Sequence, residues 1–159
     1  MKRLMLFLFL LLGMLQLVQA DDYFKQNLDY PPLFYNKNDI SDKDIARFRQ
    51  IMSSIPEEWF DNVEYIKVTN KEHISRNWTG QITCKGYKCH FILYELKYLT
   101  DDEITELLLH EIGHKVEFRD LIKHNSLRDI FKRGLSESYA EEWRIEKGGN
   151  PLQSYSSKR

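Results

Sequence analysis

The stretch that opens at Thr100 constrains the fold of this 159-residue chain more than any other, because it reads as one long, buried helix with a chemical motif at its centre. Thr100-Asp101-Asp102-Glu103 has the form of a capping box, in which the threonine hydroxyl accepts a backbone N–H and the glutamate reaches back to the cap. The acidic residues that follow Thr100 also complement the helix dipole, so a helix is expected from about Asp101. Ile104, Leu107, Leu108, Leu109, Ile112 and Val116 then give it a broad apolar surface to bury against other elements. Within that surface lies His110-Glu111-Ile112-Gly113-His114, an HExxH string. Residues four apart share a helix face, so both imidazoles can point at one zinc ion while Glu111 reaches the water that completes its coordination. Two unpaired histidines would be costly in so apolar a setting. A hydrolytic metal centre is the reading that removes this cost.

Two histidines under-coordinate zinc, so a third protein ligand is needed and a fourth position must stay open. Glu137, 23 residues beyond His114, is the preferred candidate. It opens Glu137-Ser138-Tyr139-Ala140-Glu141, which reads as the start of a second helix capped by Ser136. Asp120 and Glu141 are the alternatives. Asp120 stands where extended HExxHxxGxxH patterns place a third ligand, but Glu117 occupies the position of the glycine that would turn the chain back. Glu117 itself lies about 10 Å along the axis from His110 at about 1.5 Å per residue, which casts it as a supporting or exposed side chain.

HEIGH followed by Glu137-Ser-Tyr-Ala-Glu141 resembles the gluzincin group of zinc metallopeptidases, whose HExxH helix is followed by a helix bearing ExxxD or ExxAE. In the second motif it is most similar to catalytic domains of the lethal-factor type. The resemblance spans residues 101 to about 147, with a looser echo in the strands before them. It implies His110, His114 and Glu137 as ligands of one zinc ion, Glu111 as general base, and Glu141 as the carboxylate that orients a ligand imidazole. It also implies an edge strand that aligns extended substrate by β-addition. A tyrosine or histidine usually assists the oxyanion in that group; Tyr139, Tyr98, His124 and His73 are conceivable here, and none matches a motif.

The N-terminus bounds the setting. Met1-Lys2-Arg3, an apolar run from Leu4 to Leu17 and Val18-Gln19-Ala20 before Asp21 read as a signal peptide over residues 1–20, too short for a membrane span. The protein is therefore expected to be secreted or periplasmic, with no stable membrane insertion after cleavage. Removing Lys2 and Arg3 lowers the basic count from 23 against 24 acidic residues, and this mild acidity argues against a nucleic-acid partner. The two cysteines, Cys84 and Cys89, flank a glycine turn and suit a disulfide closing a hairpin in an oxidising compartment. With His90 they would make a metal site lacking a fourth ligand. Asn77-Trp78-Thr79 is a formal glycosylation acceptor.

Along the mature chain, residues 21–38 read as an extended arm or short pro-segment, residues 39–150 as the catalytic domain, and residues 151–159 as a disordered tail. Ser41 starts a helix with Ile45, Phe48, Ile51 or Met52 and Ile55 on one face, ended by Pro56. Residues 63–69 form a strand and 81–96 a hairpin turning at residues 85–88, with 126–133 a short helix before Gly134. Trp59, Trp78 and Tyr87 are expected to pack. These pieces predict an α+β, zincin-like domain: a small twisted sheet packed on the HExxH helix and the Glu137 helix, working as a monomeric zinc peptidase on peptide or protein substrates. The same motif would equally serve a zinc amidase acting on a small or cell-wall substrate, and the scaffold could serve a non-catalytic binding domain.

Overall fold

A computed structural model describes residues 23–26, 31–73, 79–124 and 135–150. The expected signal peptide, the 126–133 helix, the tail and Trp78 with its glycosylation acceptor Asn77 lie outside the described residues. Among the described residues five strands form one mixed sheet in the order β1-β2-β3-β5-β4, namely β1 Tyr23–Gln26, β2 Leu33–Asn36, β3 Val63–Val68, β4 Gly80–Lys85 and β5 Lys88–Leu93. Three α-helices among the described residues accompany it: α1 Asp42–Ser53, α2 Asp101–Lys123 and α3 Glu137–Glu146. The domain is α+β, as expected, but its sheet reaches further toward the N-terminus than the sequence indicates. The segment expected as an arm supplies β1 and β2, and Leu33 and Tyr35 lie in the core at 0% and 1% exposure. Pairing explains this: β2 runs parallel to β3, Leu33 opposite Ile66, with α1 as the crossover that a parallel pair requires.

Helix α1 forms where the periodicity places it. Ser41 Oγ accepts the Asp44 N–H at 3.1 Å, and Ile45, Phe48, Ile51 and Met52 face inward. Arg47 then leaves α1 to pair with Asp101 and to donate to the Leu99 carbonyl at 2.6 Å, fastening α1 to the start of α2. Strand β5 alternates inward at Cys89, Phe91 and Leu93, and it lies between β3, parallel to it, and β4, antiparallel to it. The β4–β5 turn has Gly86 at φ +62°, a conformation that glycine adopts without a Cβ penalty. Cys84 faces Cys89 across this hairpin with their sulfurs bonded at 2.03 Å. Tyr87 departs from expectation. At the tip of the turn it is 62% exposed, because a two-residue loop projects its side chains away from the sheet. Trp59 does pack, edge-on against Trp143 at 5.3 Å.

Helix α2 is the spine of the fold. Its capping box forms in full: Thr100 Oγ1 accepts from Glu103 N at 3.2 Å, and Thr100 N donates to Glu103 Oε2 at 2.7 Å. Ile104, Leu108 and Ile112 bury against the sheet and α1 side of the core, while Lys115 sends its ammonium to the carbonyls of Trp59 and Asp61 at 2.5 and 2.9 Å. Among the described residues no helix is long and apolar enough to cross a membrane.

Candidate metal centre

The site is made by two helices that touch backbone to backbone. A Cβ on Gly113 would stand 2.8 Å from Ala140 Cα and 2.9 Å from its carbonyl oxygen, so the absence of a side chain at Gly113 allows α3 to press against α2. Glu137 sits nearly one turn before Ala140, as His110 does before Gly113, and the close crossing therefore brings them together. Glu137 Oε2 lies 3.0 Å from His110 Nε2, and Glu137 Oε1 lies 3.5 Å from His114 Nε2. The two imidazole rings are nearly perpendicular, with centroids 4.6 Å apart. One ligand atom from each of His110, His114 and Glu137 falls within 4.8 Å of the others.

These donors suit a divalent ion. Zinc bonds of about 2.0–2.1 Å place tetrahedral ligands roughly 3.4 Å apart, close to the two separations from Glu137. Two imidazoles and a carboxylate are borderline donors that match zinc chemistry, although the same group can hold other divalent metals. The site opens on one side. The histidine side chains are 13% and 7% exposed, whereas that of Glu137 is 81% exposed, so the cluster has a dry floor and a solvent-facing rim.

The electrostatics follow from that burial. Glu111 is enclosed, and loss of water, with a smaller push from the Glu137 carboxylate, raises it from 4.5 to about 8. Burial also lowers His114, from 6.5 to about 4, reinforced by the neighbouring His110 and partly opposed by Glu137. A neutral His114 is the form that can ligate a metal. Glu111 Oε2 and the Nδ1 atoms of both histidines are buried without a hydrogen-bond partner.

The other candidates separate clearly. Glu141 is in the neighbourhood of His110, its Oε2 3.9 Å from Nδ1. Asp120 points elsewhere and accepts from the Tyr139 hydroxyl at 3.2 Å. Glu117, expected as supporting or exposed, is 3% exposed, and its Oε2 accepts the Ser136 N–H at 2.6 Å. It thereby docks the start of α3 on α2. Of the conceivable oxyanion partners, Tyr98 is 67% exposed, His73 packs on Tyr94, and His124 lies against the Asp120 carbonyl of its own helix.

Three contributors escape sequence reasoning. Gly80 opens β4 against Glu111, where a Cβ would stand 2.3 Å from Oε1 and 2.6 Å from Leu107 Cδ1. Glu106 and Arg144, the latter fully buried, form an ion pair behind the candidate ligands. Only Glu106 carries a local hint, lying one turn before His110. Comparison with known proteins returns no matching family model, no matching curated protein and no matching solved structure.

Proposed function

We propose that this chain is an exported zinc-dependent peptidase of the zincin type. The observation that carries the reading is the convergence of His110, His114 and Glu137 beside a buried carboxylate, Glu111, that belongs to the same helix turn. The His–Glu–His–Glu set would hold the ion and its base with no further residue, and the resemblance to gluzincins runs through the same four positions. When bound, the ion supplies Lewis acidity toward the scissile carbonyl and makes an adjacent water easier to deprotonate.

The chain's own residues do the rest. Glu111 takes the proton from the attacking water and delivers it to the leaving amine nitrogen, a task suited to a carboxylate that sits beside His110 on the same helix and is enclosed away from bulk water. Burial of both histidines keeps their nitrogens in place while Glu137, at the exposed rim, leaves a path for substrate. β4 supports an extended peptide as the substrate form. Among the described residues it is the terminal strand of the sheet, its first residue presses on Glu111, and a strand at a sheet edge can pair with an incoming chain. The bonded cysteine pair fits an oxidising compartment and so supports export.

Metal content and peptide hydrolysis by the purified protein test the reading. Glu111→Gln should keep its zinc and lose about 10²–10⁴-fold in turnover, as removal of a general base does. Glu137→Ala should lose the metal. Full activity in Glu111→Gln, or equal metal-free results for wild type and His114→Ala, would refute it.

A further inference from the structure

Behind the proposed ligand set lies an ionic cluster, centred on a buried arginine, that the proposed chemistry leaves unused. Arg144 is 0% exposed. Its Nε and Nη2 donate to the Glu141 carboxylate at 3.1 and 2.5 Å, and its Nη1 pairs with the Glu106 carboxylate on α2. Glu106 Oε1 also accepts the Asn150 N–H at 2.8 Å, and Gly149 donates to the Arg144 carbonyl at 2.9 Å. A Cβ on Gly149 would lie 2.7 Å from Glu106 Oε2 and 2.8 Å from Arg144 Cγ, so the chain after α3 folds tightly over the cluster.

The Arg144 side chain is enclosed, while those of Glu106 and Glu141 are 13% and 28% exposed; enclosing charge is expensive unless it is well paired, and replacement by apolar side chains often stabilises a fold more. Stapling α2 to α3 is therefore a weak reason for such a cluster. Its formal charge offers a better one. Two carboxylates and one guanidinium leave a net −1, and the Glu141 oxygen nearest the site stands 3.9 Å from the buried Nδ1 of His110. A cation held on the other side of that imidazole would offset the charge.

We propose that Arg144 is a positioning residue of the metal centre, holding the Glu141 carboxylate behind His110 and locking it, through Glu106, to the helix that carries both histidines. The proposal rests on His110, His114 and Glu137 being metal ligands. A planar guanidinium fits the task because it grips one carboxylate through two nitrogens and still has a third for Glu106. A lysine ammonium lacks that fork. Carboxylates that orient ligand imidazoles strengthen metal binding, so the effect of Arg144 should be read in affinity as well as in stability.

The test measures zinc dissociation constants of the full chain by chelator competition, with circular dichroism and melting in parallel. Wild type and His114→Ala are compared with Arg144→Lys, Glu141→Gln and the double variant. Each single change should weaken zinc by about 10–100-fold, and the double should be no weaker than the poorer single, because Arg144 acts through Glu141. Glu106→Gln, nearly the same in shape, serves if Arg144→Lys fails to fold, and it should weaken zinc by about tenfold. Folded variants that melt lower yet bind zinc like wild type would overturn the proposal, as would additive losses. Wild type and His114→Ala both failing to bind zinc would instead overturn the ligand assignment on which it stands.

Discussion

Two small residues set how closely Glu137 approaches the histidines. Gly113 in a helix interior is unfavourable by about 0.5–1 kcal/mol relative to alanine, so propensity alone says that Gly113→Ala should stabilise α2. The contact decides otherwise, because the new methyl would meet the Ala140 backbone at 2.8 Å and a backbone cannot swing aside. Overpacking of this kind costs about 1–3 kcal/mol, and we expect Gly113→Ala to lower the urea midpoint and weaken zinc together. Glu111 makes a second expectation at this scale, for the metal-free protein. Its folded pKa of about 8 exceeds 4.5, so between these values the folded state holds a proton that the unfolded chain has released, and stability falls as pH rises. His114, lowered from 6.5 to about 4, acts in the opposite sense and adds stability as pH rises through that interval. The two oppose each other up to about pH 6.5; above it Glu111 dominates until Lys115, which burial lowers from 10.5 to about 8, begins to lose its proton in the folded state and adds stability as pH rises. Urea midpoints of the metal-free protein should therefore decline from pH 6.5 to 8, and Glu111→Gln should flatten the decline.

At the scale of elements, α2 separates stability from site chemistry along its own length. The capping box at Thr100 begins the helix ten residues before His110, or about 15 Å at about 1.5 Å per residue. Thr100→Ala should cost about 1 kcal/mol and lower the melting temperature, with the zinc dissociation constant of the folded protein unchanged. Elements with strong local signals were legible before any coordinates: the capping box, the inward face of α1, the glycine turn between Cys84 and Cys89, and Ser136 as the cap of α3. β2 was not. Four residues after Pro31-Pro32 offer too little periodicity to mark a strand, and what makes Leu33–Asn36 one is its parallel pairing with β3. Which of its two expected roles Glu117 takes was open for a similar reason, since its burial comes with the Ser136 N–H that α3 presents to it.

For the whole molecule, the proposed ligand set would couple metal binding to folding, because its donors come from two helices that meet only in the native state. Zinc at a hundred times its dissociation constant should add about 2.7 kcal/mol, a rise in melting temperature on the order of 10 °C. Melts with zinc and with a chelator should differ by this amount in wild type and coincide in His114→Ala. The amino-acid order alone determined the His110–Glu111–His114 spacing, the helix that carries it, the hairpin and the Glu137 helix, since each depends on side chains within a turn or two of one another. The tertiary structure decided how near Glu137 comes to the imidazoles, how dry Glu111 becomes and which residues stand behind the ligands. Those depend on Gly113 meeting Ala140, on Gly80 meeting Glu111 and on Arg144 reaching Glu106, contacts between segments far apart in the chain that no local pattern encodes.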